Sequence, residues 1–309
     1  GYNITNGELN DTPVNATAAN ITVGDTLFSS SVVAHASGTF AGRPDNMIPP
    51  SAPLTPQTGK IIVLGDADFG GDTGATLTAG ADQAIEVDGT LSLQSLGQLQ
   101  ADGSRQGGNA TLSALGGSVT AGFITVASIG AGGIGTGGDG GDGAGGDAAV
   151  LISGTGSTLT ASGLNIQSTG IGGGVTFDSS GVGTAVDNSG NGTGGNATLT
   201  VENGGALSIN GQLSVAAAGI GQTGNIQSGS GTGGTTRINV TGDGTSFNTL
   251  GTSVSADGVG GTGISQSLAA IPTENGGIGS GGSAAIEINA SATTNVNLGG
   301  VTISANSIG

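Results

Sequence analysis

The sequence predicts an all-β protein, a parallel β-helix with three strands in each coil, and three observations carry this prediction. A double glycine followed by a small polar residue recurs at Gly107, Gly145, Gly194, Gly233 and Gly281. After each of these marks, aliphatic and small polar residues alternate, which is the period-two pattern of half-buried strands. Glycine makes up 68 of the 309 residues, without a collagen period and with only seven prolines.

The spacing of the double glycines indicates a repeat architecture. Successive gaps are 38, 49, 39 and 48 residues, so every second mark lies 87 or 88 residues further on. A fixed period of this size is typical of solenoids and related arrays. The alternation predicts that two coils together form the higher-order repeat.

The unit that begins at Gly194 shows how one coil is built. We expect strands over residues 194–201, 204–209 and 211–216, separated by glycine or asparagine turns. The residues expected to point inward are Leu199, Val201, Leu207, Ile209, Leu213 and Val215. A coil of about 22–25 residues cannot bury this face alone, so coils must stack on one another. Glycine suits the turns because stacked turns approach closely.

A glycine-rich excursion follows the third strand in each of these units except the last. The four excursions cover Gly130–Ala144, Gly170–Thr193, Gly219–Thr232 and Gly258–Ser280. Because they leave each coil at the same point, we expect long loops that project from one edge of the β-helix. Loops longer than about 12–15 residues are usually functional or disordered. Three roles stay open: flexible filler, a glycine sheet that covers a face, or a binding surface.

The N-terminal part departs from the repeat. Five of the seven prolines lie in residues 41–60, and proline cannot donate to a strand ladder, so we predict a loop there. Solenoids need an atypical end that protects their open edge. We therefore assign residues 1–70 to a cap or assembly segment, and residues 71–309 to the β-helix repeats.

Composition excludes several classes of partner. Four Lys and Arg residues stand against 21 carboxylates, and the net charge is −17. Nucleic-acid binding needs basic residues that neutralise phosphates, so this class is excluded. We also expect no membrane insertion, because no apolar run is long enough to span a bilayer. The acidic, cysteine-free, Thr/Asn/Gly-rich chain favours an extracellular or cell-surface location, in a prokaryote.

Calcium is the only cofactor with support in the sequence. Residues 137–142 read Gly-Gly-Asp-Gly-Gly-Asp, which matches the first six positions of the calcium-binding RTX nonapeptide. Residues 66–72 resemble the start of an EF-hand loop but have Leu77 where that loop needs glutamate. The candidate ligands are Asp139, Asp142, Asp66, Asp68 and Asp72. The competing interpretation is that these are solvated acidic loops.

No catalytic residue is predicted. Glycoside hydrolysis needs two carboxylates that flank one bond. Glu86 and Asp88 share one strand face, Glu287 stands alone, and nothing places Arg237 beside a carboxylate pair. The single histidine, His35, has no cysteine partner. We expect a protein that is not an enzyme.

The units over residues 107–133 and 194–221 resemble repeats of large bacterial surface β-helix proteins. These include autotransporter passengers and filamentous-haemagglutinin-like adhesins. The resemblance covers about residues 72–309 and is one of pattern and composition. It implies secretion, a right-handed parallel β-helix, and a role as a stalk, adhesin or matrix fibre.

The function expected from these observations is that of a non-catalytic extracellular β-solenoid, structural or adhesive. The last coil carries no polar cap, and an uncapped end would pair by strand addition. We expect a self-assembling subunit of a head-to-tail filament, or a stalk module of a larger surface adhesin. Surface glycans are the second expected partner. The alternative is a polysaccharide-binding or polysaccharide-cleaving β-helix, which the 2% aromatic content disfavours.

Overall fold

The computed structural model describes residues 60–309 and, before them, the backbone of six short strands. Short gaps fall at residues 64, 73, 82, 137, 175, 178–182, 185–186, 225, 263–275 and 290. Of the strand residues 60–62, 176–177 and 183–184, only the backbone is described. The predicted proline-rich loop 41–60 lies outside the described residues, apart from its first two positions and its last.

The described part of the chain is all β, with 31 strands and no helix. It therefore contains no helix that is long and apolar enough to cross a bilayer. The strands are β1 (Tyr2–Ile4), β2 (Val14–Ala16), β3 (Ile21–Val23), β4 (Thr26–Ser29), β5 (Val32–His35), β6 (Gly38–Gly42), β7 (Lys60–Val63), β8 (Ala67–Gly71), β9 (Gly74–Ala79), β10 (Ala84–Ser95), β11 (Gln98–Leu99), β12 (Arg105–Gln106), β13 (Asn109–Leu115), β14 (Ser118–Ala131), β15 (Gly143–Ala144), β16 (Asp147–Ser153), β17 (Thr158–Ile171), β18 (Thr176–Phe177), β19 (Gly183–Thr184), β20 (Gly192–Thr193), β21 (Asn196–Glu202), β22 (Ala206–Ile220), β23 (Gly231–Thr232), β24 (Thr235–Thr241), β25 (Ser246–Ser255), β26 (Gly258–Val259), β27 (Gly279–Ser280), β28 (Ser283–Asn289), β29 (Asn295–Asn297), β30 (Gly300–Ser304) and β31 (Ser307–Ile308).

These strands form three large sheets. Sheet A has the order β1-β3-β6-β9-β13-β16-β21-β24-β28. Sheet B follows β2-β5-β8-β10-β14-β17-β22-β25-β29, with β4, β7, β26, β30 and β31 attached to this path. The third, which we name the glycine sheet, has the order β11-β12-β15-β20-β23-β27. Pairing within them is parallel except between β11 and β12, and the separate pair β18 and β19 is also antiparallel.

Each repeat places its strands directly beside those of the next repeat. In sheet A, Leu199 pairs with Val150 on one side and with Ile238 on the other. In sheet B, Leu207 pairs with Leu159 and with Phe247. Because the register is kept, aliphatic side chains of successive repeats lie in columns, and polar side chains do the same on the outer faces.

The inward-facing residues form a single core cluster between sheets A and B. All six residues predicted to point inward in the unit after Gly194 are at most 1% exposed, so that prediction is confirmed. Burying one Leu, Ile or Val side chain contributes about 1.5–3 kcal/mol. Each repeat thus gains its stability from neighbours on both sides.

The second and third predicted strands run together in the middle of the protein. Residues 206–209 of the second predicted segment and all of the third, 211–216, fall within one long strand, β22, with a register shift between Ile209 and Gln212. At the ends of sheet B the two halves separate. There β7 and β8 pair with different halves of β10, and β29 and β30 pair with different halves of β25.

At the double glycines, the backbones of stacked repeats come close together. A Cβ built on Gly195 would lie 2.2 Å from the carbonyl oxygen of Gly146, and one on Gly234 would lie 2.0 Å from that of Gly195. Real Cβ atoms do not approach backbone atoms this closely. The double glycine therefore recurs because it lies, in every repeat, at the corner between the glycine sheet and sheet A. Only glycine lets neighbouring repeats stack there.

The glycine-rich excursions are ordered where the structure describes them. Their returning ends form the parallel strands β15, β20, β23 and β27 of the glycine sheet. Among the three roles left open by the sequence, these segments therefore take that of a glycine sheet, and flexible filler is wrong for them. Residues 137, 175, 178–182, 185–186, 225 and 263–275 of the excursions lie outside the described residues.

Outgoing and returning excursion segments also hydrogen-bond to each other. Gly141 donates its N–H to Gly133 O at 2.8 Å, Gly173 to Gly141 O at 2.7 Å, and Gly190 to Gly173 O at 2.8 Å. We call the segments that take part the glycine lattice. They are residues 130–134, 139–144, 170–174, 188–193, 219–222, 227–232, 258–261 and 276–280.

The N-terminal strands belong to the same sheets as the repeats. In sheet A, β1, β3 and β6 continue the order through β9, and in sheet B, β5 and β8 continue it into β10. The division between residues 1–70 and 71–309, and the role of the first segment as a cap or assembly element, stay predictions.

Candidate functional site

A ladder of side chains, polar in its first three members, runs along the glycine lattice. Each returning segment carries one non-glycine residue directly before its strand, and these are Asp142, Asn191, Ser230 and Ile278. Asn191 donates its backbone N–H (2.7 Å) and its side-chain Nδ2 (3.2 Å) to Asp142 Oδ1. Ser230 N in turn donates to Asn191 Oδ1 at 2.8 Å. The side chains of Asp142 and Asn191 thus each accept a hydrogen bond from the next repeat.

Asp139, the second calcium candidate in this region, is held in the same way. Its Oδ1 accepts hydrogen bonds from Asn188 N at 3.3 Å and from Asn188 Nδ2 at 3.1 Å. In the structure, therefore, Asp139 and Asp142 both accept from asparagines 49 residues further along the chain. These contacts tie neighbouring repeats together.

The other three calcium candidates lie along β8 and its flanks. Asp66 is exposed, and its Oδ1 accepts the Thr90 N–H at 2.7 Å. Asp68 is half-buried in the strand, and Asp72 is exposed just after it. Within the described residues, no three His, Cys, Asp or Glu side chains converge as metal ligands would. The calcium site stays a prediction.

Asp72 and Asp142, from the two separate calcium motifs, line one cleft. This cleft has a volume of ≈ 580 Å³ and lies beside the β11–β12 hairpin, where the glycine sheet begins. We name it the Arg105 cleft. Its lining residues are Asp72, Gln98, Gln100, Ser104, Arg105, Gln106, Gly107, Gly108, Asp142 and Ala144.

Arg105 is the cationic residue of this cleft. Its backbone N–H donates to Asp142 O at 2.9 Å, so the position of Arg105 is fixed by the strand that follows in the glycine sheet. Its side-chain Nε is buried and has no hydrogen-bond partner in the structure. Leaving a buried donor unpaired costs about 1–3 kcal/mol. Because this Nε has almost no accessible surface, a ligand in the cleft could reach it only if the side chain moved.

The tip of the hairpin is held by a short network. Gln100 N donates to Ser104 O at 2.8 Å, and Ser104 N and Oγ donate to Asp102 Oδ1 at 2.9 Å and 2.5 Å. The Ser104 side chain, and after it the Ser104 backbone, lowers the pKa of the Asp102 carboxyl below its ordinary value, because both donors favour the ionised form. Asp102 is thus held as a carboxylate beside the cleft.

Sequence reasoning missed the cleft, although a signal was present. Arg105 pairs with Gly143, which pairs with Gly192, then Gly231 and Gly279. Aligning the returning segments would have shown an arginine at a position that is otherwise glycine. Such a departure from a repeat, at one position only, is where a specific role is expected.

The remaining charged candidates do not form one group. Arg237 and Glu287 make an ion pair at 3.4 Å on the outer face of sheet A, and both side chains are 47% exposed. Glu86 is half-buried and Asp88 is exposed in β10. The side chain of His35 lies outside the described residues. The pairing of Arg237 with Glu287 was not predicted from the sequence.

No family model, no curated protein and no solved structure matches the chain.

Proposed function

We propose that the chain is a non-catalytic, extracellular or cell-surface β-solenoid with a structural or adhesive role. In this proposal the solenoid is right-handed and has three strands in each coil. The observation that carries it is the unbroken parallel pairing from β9 to β28 in sheet A. The strands of sheet B and of the glycine sheet follow one another in the same repeat order. Such an array stiffens the chain along the stacking direction, because every backbone ladder runs along it.

The splitting of the long strands at both ends of sheet B supports three strands per coil. Where β10 pairs with β7 and β8, and where β25 pairs with β29 and β30, one coil contributes two strands to sheet B and one to sheet A. In the middle of sheet B, β17 and β22 pair along both of these segments, which a bulge joins into one strand. The handedness rests on the resemblance to bacterial surface β-helix proteins.

The last described repeat supports assembly with copies of the same chain or with an adjoining module. Ile288, Val301, Ile303 and Ile308 are 40–54% exposed there, whereas their counterparts in earlier repeats are covered by a neighbour. Sheet A ends at β28 on this side and at β1 on the other, and each pairs on one side only within the described residues. We propose that a parallel strand of another coil pairs with this edge.

Electron microscopy of concentrated protein tests the filament form. The nine strands of sheet A, at about 4.7–4.9 Å each, predict an axial repeat of roughly 43 Å if copies continue the sheet. The Ile303→Lys variant is expected to abolish this association, because it places a charge on the pairing edge. Ile226→Lys, at an exposed position beside the glycine lattice, is the matched control and is expected to retain it. A wild-type chain that sediments as a monomer at every concentration would overturn the filament form.

A second candidate function, polysaccharide binding, is favoured by the Arg105 cleft alone. The cleft supplies the polar groups that such a ligand requires. Cleavage is not part of this proposal.

A further inference from the structure

We propose that the open edge formed by β27 and β28 binds a coil of an adjoining β-helix module that carries the motif Gly-x-Gly-small-Gly-Gly, where the small residue is Ala, Ser or Thr. This inference rests on the proposed function, because it states which kind of coil pairs with the edge of the last repeat. The competing occupant is a copy of this chain that docks through its N-terminal strands.

The motif occurs in each returning segment of the glycine lattice. Its four examples cover residues 141–146, 190–195, 229–234 and 277–282. The third residue of each lies in the glycine sheet, where the four glycines pair in sequence order. The last two residues are the double glycine that precedes a strand of sheet A. The motif thus leads the chain from one sheet to the other in every repeat.

The preceding coil requires the first residue of the motif to be glycine. A Cβ built on Gly190 would lie 1.9 Å from Gly141 O, and one on Gly229 would lie 1.9 Å from Gly190 O. A Cβ on Gly277 would lie 1.8 Å from Gly229 O. In the next coil of the stack, a side chain at this position would meet Gly277 O in the same way.

The last residue of the motif is restricted by the same kind of contact. A Cβ on Gly234 would lie 2.0 Å from Gly195 O, and one on Gly282 would lie 2.0 Å from Gly234 O. Gly282 O therefore takes this place at the open edge. A coil that continues all three sheets in this register must carry two glycines that are five positions apart.

The open edge also presents backbone groups that bind a partner in every earlier repeat. The N–H of the third motif residue donates to a carbonyl oxygen of the next coil at 2.8–2.9 Å, as in Gly143, Gly192 and Gly231. The carbonyl oxygen of the last motif residue accepts an N–H of the next coil at 2.9–3.0 Å, as in Gly146, Gly195 and Gly234. The counterparts at the edge are Gly279 N and Gly282 O. No strand of the described residues supplies their partners.

The described N-terminal strands of this chain do not carry the motif. Among the described residues, none of the strands β1 to β10 belongs to the glycine sheet. The residues directly before β3, β6 and β9 are Ala19-Asn20, Ala36-Ser37 and Asp72-Thr73. A copy that docked through such strands would continue sheets A and B but leave β27 unpaired. It would also place a residue other than glycine against Gly282 O.

A synthetic peptide that copies residues 190–201 is a direct probe of this edge. It contains the motif and the strand that follows it, whose Ala197, Leu199 and Val201 are buried between neighbouring repeats in the folded chain. We would titrate the fluorescently labelled peptide with the full chain and follow its anisotropy. Binding is expected, and hydrogen exchange of the Gly279 amide should slow because this N–H gains an acceptor. Exchange of the Gly231 amide, which already donates to Ile278 O at 2.9 Å, should not change.

Three variants of the peptide test the required pattern. Gly190→Val and Gly195→Val add side chains at the two restricted positions, and each is expected to weaken binding by roughly 10-fold or more. Thr193→Val is the matched control. Thr193 is exposed on the outer face of the glycine sheet, and valine has nearly the same shape, so its affinity should equal that of the unchanged peptide.

Two variants of the chain locate the binding. Ile288→Lys places a charge on the edge at a position that is 40% exposed, and it should weaken peptide binding. Ile226→Lys, at a 60% exposed position away from this edge, should retain it. If Ile288→Lys does not fold, the peptide series and the Gly279 exchange decide the question on the unchanged chain.

The proposal is overturned if the unchanged peptide does not bind, if the glycine variants bind as tightly as it does, or if Gly279 exchange stays the same. Sedimentation of the chain alone separates this failure from failure of the filament form. A chain that associates with itself but binds no peptide refutes this inference alone. A chain that binds the peptide and sediments as a monomer without it refutes the filament form alone.

Discussion

The core between sheets A and B and the glycine lattice stack in the same direction but fill space by opposite means. In the core, columns of Leu, Ile and Val side chains occupy the space between backbones. In the glycine lattice the backbones themselves are in contact, and a Cβ on Gly190 would lie 1.9 Å from Gly141 O. One region uses side-chain volume, and the other requires its absence.

The difference teaches which kind of substitution each region tolerates. A core of aliphatic side chains relaxes partly around a cavity, and related residues of similar volume replace one another. A backbone contact has no flexible atom that can give way. We therefore expect the lattice to be the more sensitive to added atoms, and the core to removed atoms.

The largest expected effect is that of an added side chain in the lattice. Gly190→Val would force the backbones of neighbouring repeats apart, and we expect a loss of roughly 4 kcal/mol or failure to fold. Gly300→Val is the matched control, because a Cβ there meets nothing within 4 Å. Urea unfolding of both variants checks this. Equal midpoints would show that the lattice is not closely packed.

A smaller but still large effect is expected in the core. Leu199 is fully buried, and Leu199→Ala should cost about 2–5 kcal/mol, from the lost burial and the cavity left behind. Leu250→Ala is the control, since Leu250 is 67% exposed and should change stability by less than about 0.5 kcal/mol. Thermal or urea unfolding measures both. A similar loss for the two would contradict the assignment of the core.

An intermediate effect is expected at the boundary between the two regions. Buried Ser168 donates its Oγ to Gly146 O at 2.6 Å and accepts the Gly195 N–H at 3.1 Å. Ser168→Ala leaves the Gly195 donor without this acceptor, at a cost of about 1–3 kcal/mol. The half-buried Ser214 of β22 makes a control through Ser214→Ala. Hydrogen exchange of the Gly195 amide should quicken in the first variant and stay the same in the second.

The smallest expected effect is electrostatic and lies at the hairpin that begins the glycine sheet. The Ser104 donors lower the pKa of Asp102 in the folded protein. The stability that this carboxylate contributes is therefore fully present above its unfolded pKa of about 3.9, and it is lost as the pH falls through the folded pKa. Ser104→Ala should raise the Asp102 pKa towards its ordinary value. A carboxyl ¹³C titration measures it, and an unchanged pKa would show that the Ser104 side chain is not the cause.

Much of the fold could be predicted from the alternation of residue types. The strands around Leu112, Val150 and Leu199 and their buried faces follow from a period of two. The merging of predicted strands into β22 could not be foreseen, because a bulge continues the ladder around a corner and leaves no distinct residue pattern. The ion pair of Arg237 with Glu287 joins positions 50 residues apart and depends on register.

The candidate site was predictable only in part. The sequence motifs pointed to Asp72 and Asp142, but they predicted these residues as calcium ligands in two separate loops. That both line one cleft with Arg105 depends on how β8, the β11–β12 hairpin and β15 stack.

The sequence by itself determined the repeat, the strands, the buried faces and the glycine corners, because each of these depends on local period and on the size of single residues. Only the tertiary structure decided what the glycine-rich excursions do. A glycine accepts many conformations, so its position in the sequence does not specify a partner. The partner is set when repeats stack, and there the excursions hydrogen-bond into the glycine lattice.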